Sequence, residues 1–310
     1  MSTTTLDLPA TATAPAPVTA IPSPTHGPQP RLAGEARTGL TPAEAAHWRE
    51  HGWVAIPDFL DRDEVALLQA EVRALQSAGK LRNVATDGDG VTHSKTAFNL
   101  QICPVGPHSR PIRALAYAAK VRSAITELLG DSAVQNLDQI FLKPARHGTG
   151  TNWHSDNGYF RSRVVEAGTG MWLAVNDANR ANGTMTIVPG SHRREWAHVR
   201  DHGSDHHITC APSVDPATAL PIELPAGGAL FFNYGVVHST GPNTTDRDRA
   251  GLALHFIQEP FYTWDDANNP SRANWRRLGK ASDGGQGFYG ENLLGVWEGL
   301  AGASPAGRTA

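Results

Sequence analysis

The sequence predicts a mainly β (α+β) protein, with helices first, packed on one side of a β-barrel or sandwich built from the later half of the chain. Three observations lead there. Up to Gly130 apolar residues recur at helical spacing; beyond it come short apolar or alternating runs parted by Gly, Pro and Asn; and no repeat period is evident. At 310 residues a single β-rich domain is an ordinary size.

Residues 1–35 are rich in Thr, Ala and Pro ("TATAPAPVTAIPSPTHGPQP") and bury too little to fold, so a disordered tail is expected. Order begins at "LTPAEAAHWREHG", where Thr41 suits an N-cap, Pro42 the first helical position and Glu44 a capping box. A short strand, "GWVAIPDF", follows. A second helix starts at Asp61, with Glu64 in its first turn, an apolar stripe of Val65, Leu68, Val72 and Leu75, and Gly79 as its stop. A third is expected from Pro111 to Leu129, striped by Ile112, Leu115, Ala119 and Leu128 and ended by Gly130. Six strand-like runs then follow: "VQNLDQIFLKPA", "NWHSDNGYF", "GMWLAVNDA", "GTMTIVPGSH", "IELPAGGALFFNYGVVHS" and "AGLALHFIQEPF". The ordered domain is expected to span 36–300, with 301–310 a flexible C-terminus.

A net charge of -3 with no long basic run gives no electrostatic case for nucleic acid or an anionic membrane as partner. No apolar run is long enough to cross a bilayer, and the N-terminus lacks the charged-then-apolar order of a secretory signal. Cys103 and Cys210 make neither a disulfide framework nor a CxxC pair, so a cytoplasmic location is expected. Monomer and homodimer both stay open. Fourteen histidines make metal chemistry the first thing to test.

"TNWHSDNGYF" carries His154 and Asp156 two apart, a spacing that in an extended strand points both side chains to one face. A third ligand is needed, and His238 is the best candidate, at the end of the apolar strand in "GALFFNYGVVHSTGPN". Two His and one carboxylate leave open positions suited to non-heme iron oxygenases. Each of the three is individually commonplace. Arg249, opening the next apolar strand, strengthens the set, because a permanent cation there calls for an anion. It could grip a dicarboxylate co-substrate, or form a salt bridge to Asp248 or Glu259; Arg247 competes but falls on the turn side.

His154-x-Asp156, Asn182–Gly183, "PGSH" at Pro189–His192 and "HSTGPN…DR" from His238 to Arg249 together resemble the phytanoyl-CoA dioxygenase family, from about Leu40 to Phe261. The resemblance implies a double-stranded β-helix, a jelly-roll or cupin-like barrel, and dependence on iron(II), 2-oxoglutarate and dioxygen. It implies His154, Asp156 and His238 as iron ligands and Arg249 on the distal carboxylate, helped by Thr240. Trp172 and Gln139 match positions lining the co-substrate pocket, though each also reads as barrel core. Lys143 shares the Gln139 strand face but reads as a snorkelling surface lysine. Oxidative decarboxylation to succinate and carbon dioxide would drive oxidation of a substrate C–H. Halogenating relatives lose the carboxylate ligand, so the retained Asp156 favours hydroxylation, desaturation, epoxidation or ring closure.

Asn157, Tyr159 and Phe160 could face a small-molecule substrate, a secondary metabolite or amino-acid-like compound, or could pack the barrel. The charge balance gives no support for a CoA ester. In "WAHVRDHGSDHH", His198 and His202 could share a helix face and bind zinc, but the composition favours a solvated loop and part of a lid. Trp264, Trp275, Arg276 and Arg277 could close the site or form a dimer contact. A cupin-type isomerase or lyase, which would leave Arg249 without a role, and a non-catalytic binding barrel are the competing classes.

Overall fold

In the computed structural model, residues 37–261 and 283–303 are described; the expected N-terminal tail and Trp264, Trp275, Arg276 and Arg277 lie outside them. The first helix, Pro42–His51, starts as its sequence dictates: the Thr41 hydroxyl accepts the Glu44 N–H at 3.2 Å, and the Glu44 carboxylate accepts the Thr41 N–H at 2.8 Å. Asp61 and Glu64 repeat that box at the second helix, Arg62–Ser77, which buries Leu68, Val72 and Leu75.

The third helix differs from expectation. It splits into Arg110–Leu115 and Ala119–Leu129, and Ser109 caps the first piece. "LAYAAK" holds no helix breaker, so local propensity alone predicts continuity. What interrupts it is packing. The Tyr117 ring is fully buried and meets Tyr289 edge-on at 6.4 Å, and Gly285 lies so close that a Cβ there would come within 2.8 Å of the ring.

The larger sheet has seven antiparallel strands, in the spatial order Trp53–Ile56, Ala229–Asn233, Gly168–Ala174, Arg249–Gln258, Ala133–Lys143, Leu100–Ile102 and Arg82–Asn83. The smaller has four short ones, Leu220–Pro221, Met185–Ile187, His238–Thr240 and Thr151–His154. Val199–Arg200 and Ile208–Thr209 form a separate ribbon.

Period-two alternation assigns the faces of the large sheet. Met171, Leu173, Phe231, Leu252 and Leu254 join the helix residues Leu68, Ile112, Leu115 and Ile125 in one core. Their neighbours Trp172, Ala174, Leu230, Phe232 and Ala253 turn the other way, onto Met185 and Ile187 of the small sheet. Both faces are therefore covered, each buried aliphatic or aromatic side chain contributing about 1.5–3 kcal/mol. The result is the expected jelly roll of two facing sheets with helices on one side. The helix Val296–Gly302 runs past the boundary expected at residue 300 and buries Trp297 and Ala301.

Candidate metal and co-substrate site

Thr151–His154 and His238–Thr240 are antiparallel neighbours, and His238 stands directly opposite His154. Opposed residues hold their Cβ atoms about 5 Å apart, and here the ring centroids are 4.4 Å apart. Asp156 arrives by a route the spacing did not foretell. The strand ends at His154, and Asp156 turns into the helical region (φ -60°, ψ -28°) before the short helix Asn157–Phe160. Convergence comes from a bend, not from a shared strand face. Ser155 between them is buried, its N–H donating to His198 Nε2 at 3.0 Å.

One ligand atom each from His154, Asp156 and His238 lies within 4.8 Å of the others, the only such group of three among the described residues. His154 Nδ1–H donates to the Asn152 carbonyl at 2.8 Å and His238 Nδ1–H to the Val236 carbonyl at 3.0 Å. Carbonyls only accept, so the protons are on Nδ1 and both Nε2 lone pairs are free for a cation. Burial drives His154 down to about 4 and His238 well below its ordinary range, while it raises Asp156 to about 7. Asp156 Oδ1 lies 3.7 Å from His238 Nε2, and its buried Oδ2 accepts no hydrogen bond. Two neutral nitrogens and an unsatisfied carboxylate facing one point fit a divalent ion.

These residues line a cavity of about 390 Å³. In its wall the buried Arg249 donates from Nε to the Asn182 carbonyl at 3.3 Å and from a terminal nitrogen to the Gly183 carbonyl. Asp248, an alternative partner, instead accepts from the Ala145 N–H and the Gln76 amide. Gly183 is required: its φ is +78°, and a Cβ would come within 2.3 Å of the Gly241 carbonyl oxygen.

Lys143 corrects the surface reading. It is 1 % exposed, and its ammonium donates to the Thr149 carbonyl at 2.7 Å, the Thr240 hydroxyl at 2.8 Å and the Gly241 carbonyl. Burial, then the neighbouring Arg249, pushes Lys143 well below its usual range; burial lowers Arg249 to about 9. Trp172 lies 5.6 Å from the guanidinium, and Gln139 lines the same cavity. Asp156 is the only acidic side chain among the described lining residues. A desolvated guanidinium beside a buried lysine, neither with a carboxylate partner among the described residues, suits an anionic ligand.

Residues 48–251 match the model of the family described as Phytanoyl-CoA dioxygenase (PhyH). The chain belongs to that family. A "Phytanoyl-CoA dioxygenase domain-containing protein 1" from Mus musculus is 22% identical over 273 residues, covering 74% of this chain and 94% of that protein. The alignment to a Caenorhabditis briggsae homologue, 26% identical, covers 44% of this chain and about half, 48%, of that protein. An ectoine dioxygenase from Halomonas elongata is 27% identical, covering 72% and 71%. The crystal structure of SnoK, a non-heme alpha ketoglutarate dependent carbocyclase from nogalamycin biosynthesis, superposes with a TM-score of 0.60 at 21% identity, covering 71% of this chain and 84% of that one. That structural likeness carries the fold. Family membership sets the reaction class as iron(II)- and 2-oxoglutarate-dependent dioxygenation.

Against the family's pattern, His154, Asp156, His238, Arg249, Thr240, Trp172 and Gln139 all line one cavity. Tyr159 and Phe160 join them. Asn157 does not: its amide is spent on Ser162, accepting the N–H at 2.7 Å and donating to the carbonyl at 3.2 Å. His198 and His202 share no helix, since His198 precedes the strand Val199–Arg200 and His202 lies in the turn after it. That segment is packed rather than solvated at Asp201, Ser204 and His207.

The sequence reading missed Arg82 at the wall of the cavity, a strand-end residue distant from the triad in sequence; His206 and His207, from the histidine-rich segment read as part of a lid, line the same wall. The reading also missed His255, buried beside Asp156 with Nδ1 3.4 Å from Oδ2. A signal for His255 existed: it sits an even number of residues from Arg249 and Ala253, on the strand face that meets the small sheet.

Proposed function

We propose that His154, Asp156 and His238 hold iron(II), that Arg249 and Thr240 hold the distal carboxylate of 2-oxoglutarate with Lys143 bracing the Thr240 hydroxyl, and that the chain hydroxylates a C–H of a small, amino-acid-like or secondary metabolite. The supporting observation is the triad itself, with three ligand atoms within 4.8 Å and both imidazoles fixed in the ligating tautomer. When bound, the metal and co-substrate would supply the oxidising power. The chain's own residues do the rest. Arg249 neutralises and orients the far carboxylate, Lys143 fixes the Thr240 hydroxyl beside it, Trp172 and Gln139 wall the pocket, and Asp156 keeps one acidic ligand on the metal.

The cavity's size supports a small substrate, because about 390 Å³ lies at the low end for ligand sites and co-substrate shares it. Leu137, Tyr159 and Phe160 offer apolar contact, while Arg82 and His206, both paired with the Asp205 carboxylate, add a polar edge to the wall. The ectoine dioxygenases among the relatives support a free metabolite over a CoA ester. Among the described residues no helix is long and apolar enough to cross a membrane. Both cysteines are free, which supports a cytoplasmic setting.

Anaerobic addition of iron(II) and 2-oxoglutarate should give a visible charge-transfer band. Arg249→Gln should raise the 2-oxoglutarate requirement at least about tenfold, the loss of one charge-assisted contact. Asp156→Ala should abolish tight iron loading. Absence of the band, together with no succinate released in oxygen across a metabolite panel, would sink this assignment.

A further inference from the structure

Asp156 divides its two oxygens between different surroundings. Oδ1 faces the ligand cluster, 3.7 Å from His238 Nε2, while Oδ2 turns away from it, to 3.4 Å from His255 Nδ1. Oδ2 and both ring nitrogens of His255 are buried, and none of the three makes a hydrogen bond. A buried donor and acceptor left unpaired are costly, so Oδ2 and Nδ1 facing one another at this distance are not neutral packing.

His255 is held for this contact. It stands on the central strand Arg249–Gln258, with its ring 5.2 Å from the Phe160 ring and 6.1 Å from that of Tyr234. It pairs in register with Gly170, which leaves no side chain beside it on that neighbouring strand. Its nitrogens lie outside the three-ligand group.

We infer that His255 is a positioning residue for Asp156: its Nδ1–H donates to Oδ2 when Oδ1 ligates the metal. A carboxylate whose second oxygen is so held binds through one oxygen only. It cannot swing Oδ2 onto the metal and occupy a position that co-substrate or oxygen needs. The same hydrogen bond satisfies an oxygen that would otherwise remain bare in the interior. The inference rests on the triad reading above.

The experiment uses the full chain and cobalt(II) as probe. His255→Phe removes the donor while keeping a ring against Phe160 and Tyr234. His255→Asn places an amide N–H close to where Nδ1 stood. Cobalt(II) affinity should fall about ten- to a hundredfold in the Phe variant, the usual effect of removing a partner of a ligand, and should recover most of that loss in the Asn variant. The visible cobalt spectrum of the Phe variant should shift towards higher coordination, and that of the Asn variant should match the wild type. Thermal unfolding of each metal-free variant checks that the fold is retained. Wild-type affinity and spectrum in the Phe variant would overturn the inference, as would an Asn variant no better than Phe despite a retained fold. Failure of the wild type to bind cobalt(II) would overturn the triad reading instead, which keeps the two failures distinct.

Discussion

Raising the pH from 6 to 8 should tighten cobalt(II) binding to the triad about tenfold, equivalent to about 1.4 kcal/mol. The reason is Asp156, which burial raises to about 7 in the absence of a cation. At pH 6 only about a tenth of the molecules carry the ionised ligand, and at pH 8 about nine-tenths do. The histidines add nothing to this dependence: burial holds His154 at about 4 and His238 well below its normal range, so both are already deprotonated. Binding should release about one proton at pH 6 and almost none at pH 8. Calorimetric titrations in buffers of different ionisation enthalpy count those protons directly. The sign also reverses for folding. Asp156 binds its proton more tightly folded than unfolded, so its contribution favours the metal-free fold below about pH 4 and is lost as pH rises through about 7. A flat affinity from pH 6 to 8, or release of two protons at pH 6, would refute the reasoning by showing that a histidine titrates instead.

Two further outcomes follow from packing. Gly251→Ala would place a Cβ 2.5 Å from Trp172 Nε1; the indole must shift, and 2-oxoglutarate affinity should drop about tenfold with cobalt(II) affinity unchanged, at a stability cost of about 1–3 kcal/mol. Equal co-substrate affinity in that variant would remove Trp172 from the pocket wall. Glu64→Ala would strand the Trp297 indole N–H, which donates to Glu64 at 2.9 Å, and the Lys120 ammonium. Breaking this buried pair should destabilise by about 3 kcal/mol in urea unfolding, and an unshifted midpoint would show that the C-terminal helix docks without it.

The metal side of the site was legible because its signals are local: a two-residue spacing at His154 and Asp156, and a histidine at the end of an apolar strand. Even so, the two side chains converge for a reason the spacing did not contain, since the chain bends between them. Arg249 was legible because an arginine inside an apolar strand is costly without a purpose. Lys143 failed on the opposite default. A strand-end lysine usually reaches water, and nothing local reveals that Thr149, Thr240 and Gly241 close around its ammonium. His255 hid within "LALHFIQ" as one more core residue. The split of the third helix was also invisible, because its cause, the C-terminal segment packed on Tyr117, lies more than 160 positions away in sequence.

The grip on Arg249 has a consequence for selection among acids. Its guanidinium is anchored by the Asn182 and Gly183 carbonyls, on a ten-residue strand bonded along both edges. It cannot advance or retreat to meet its ligand. On the proposed assignment, the span from the triad to that cation works as a ruler of fixed length. A diacid one methylene shorter would leave a gap and one a methylene longer would be compressed, so exclusion of both is written into a strand rather than entrusted to a movable loop.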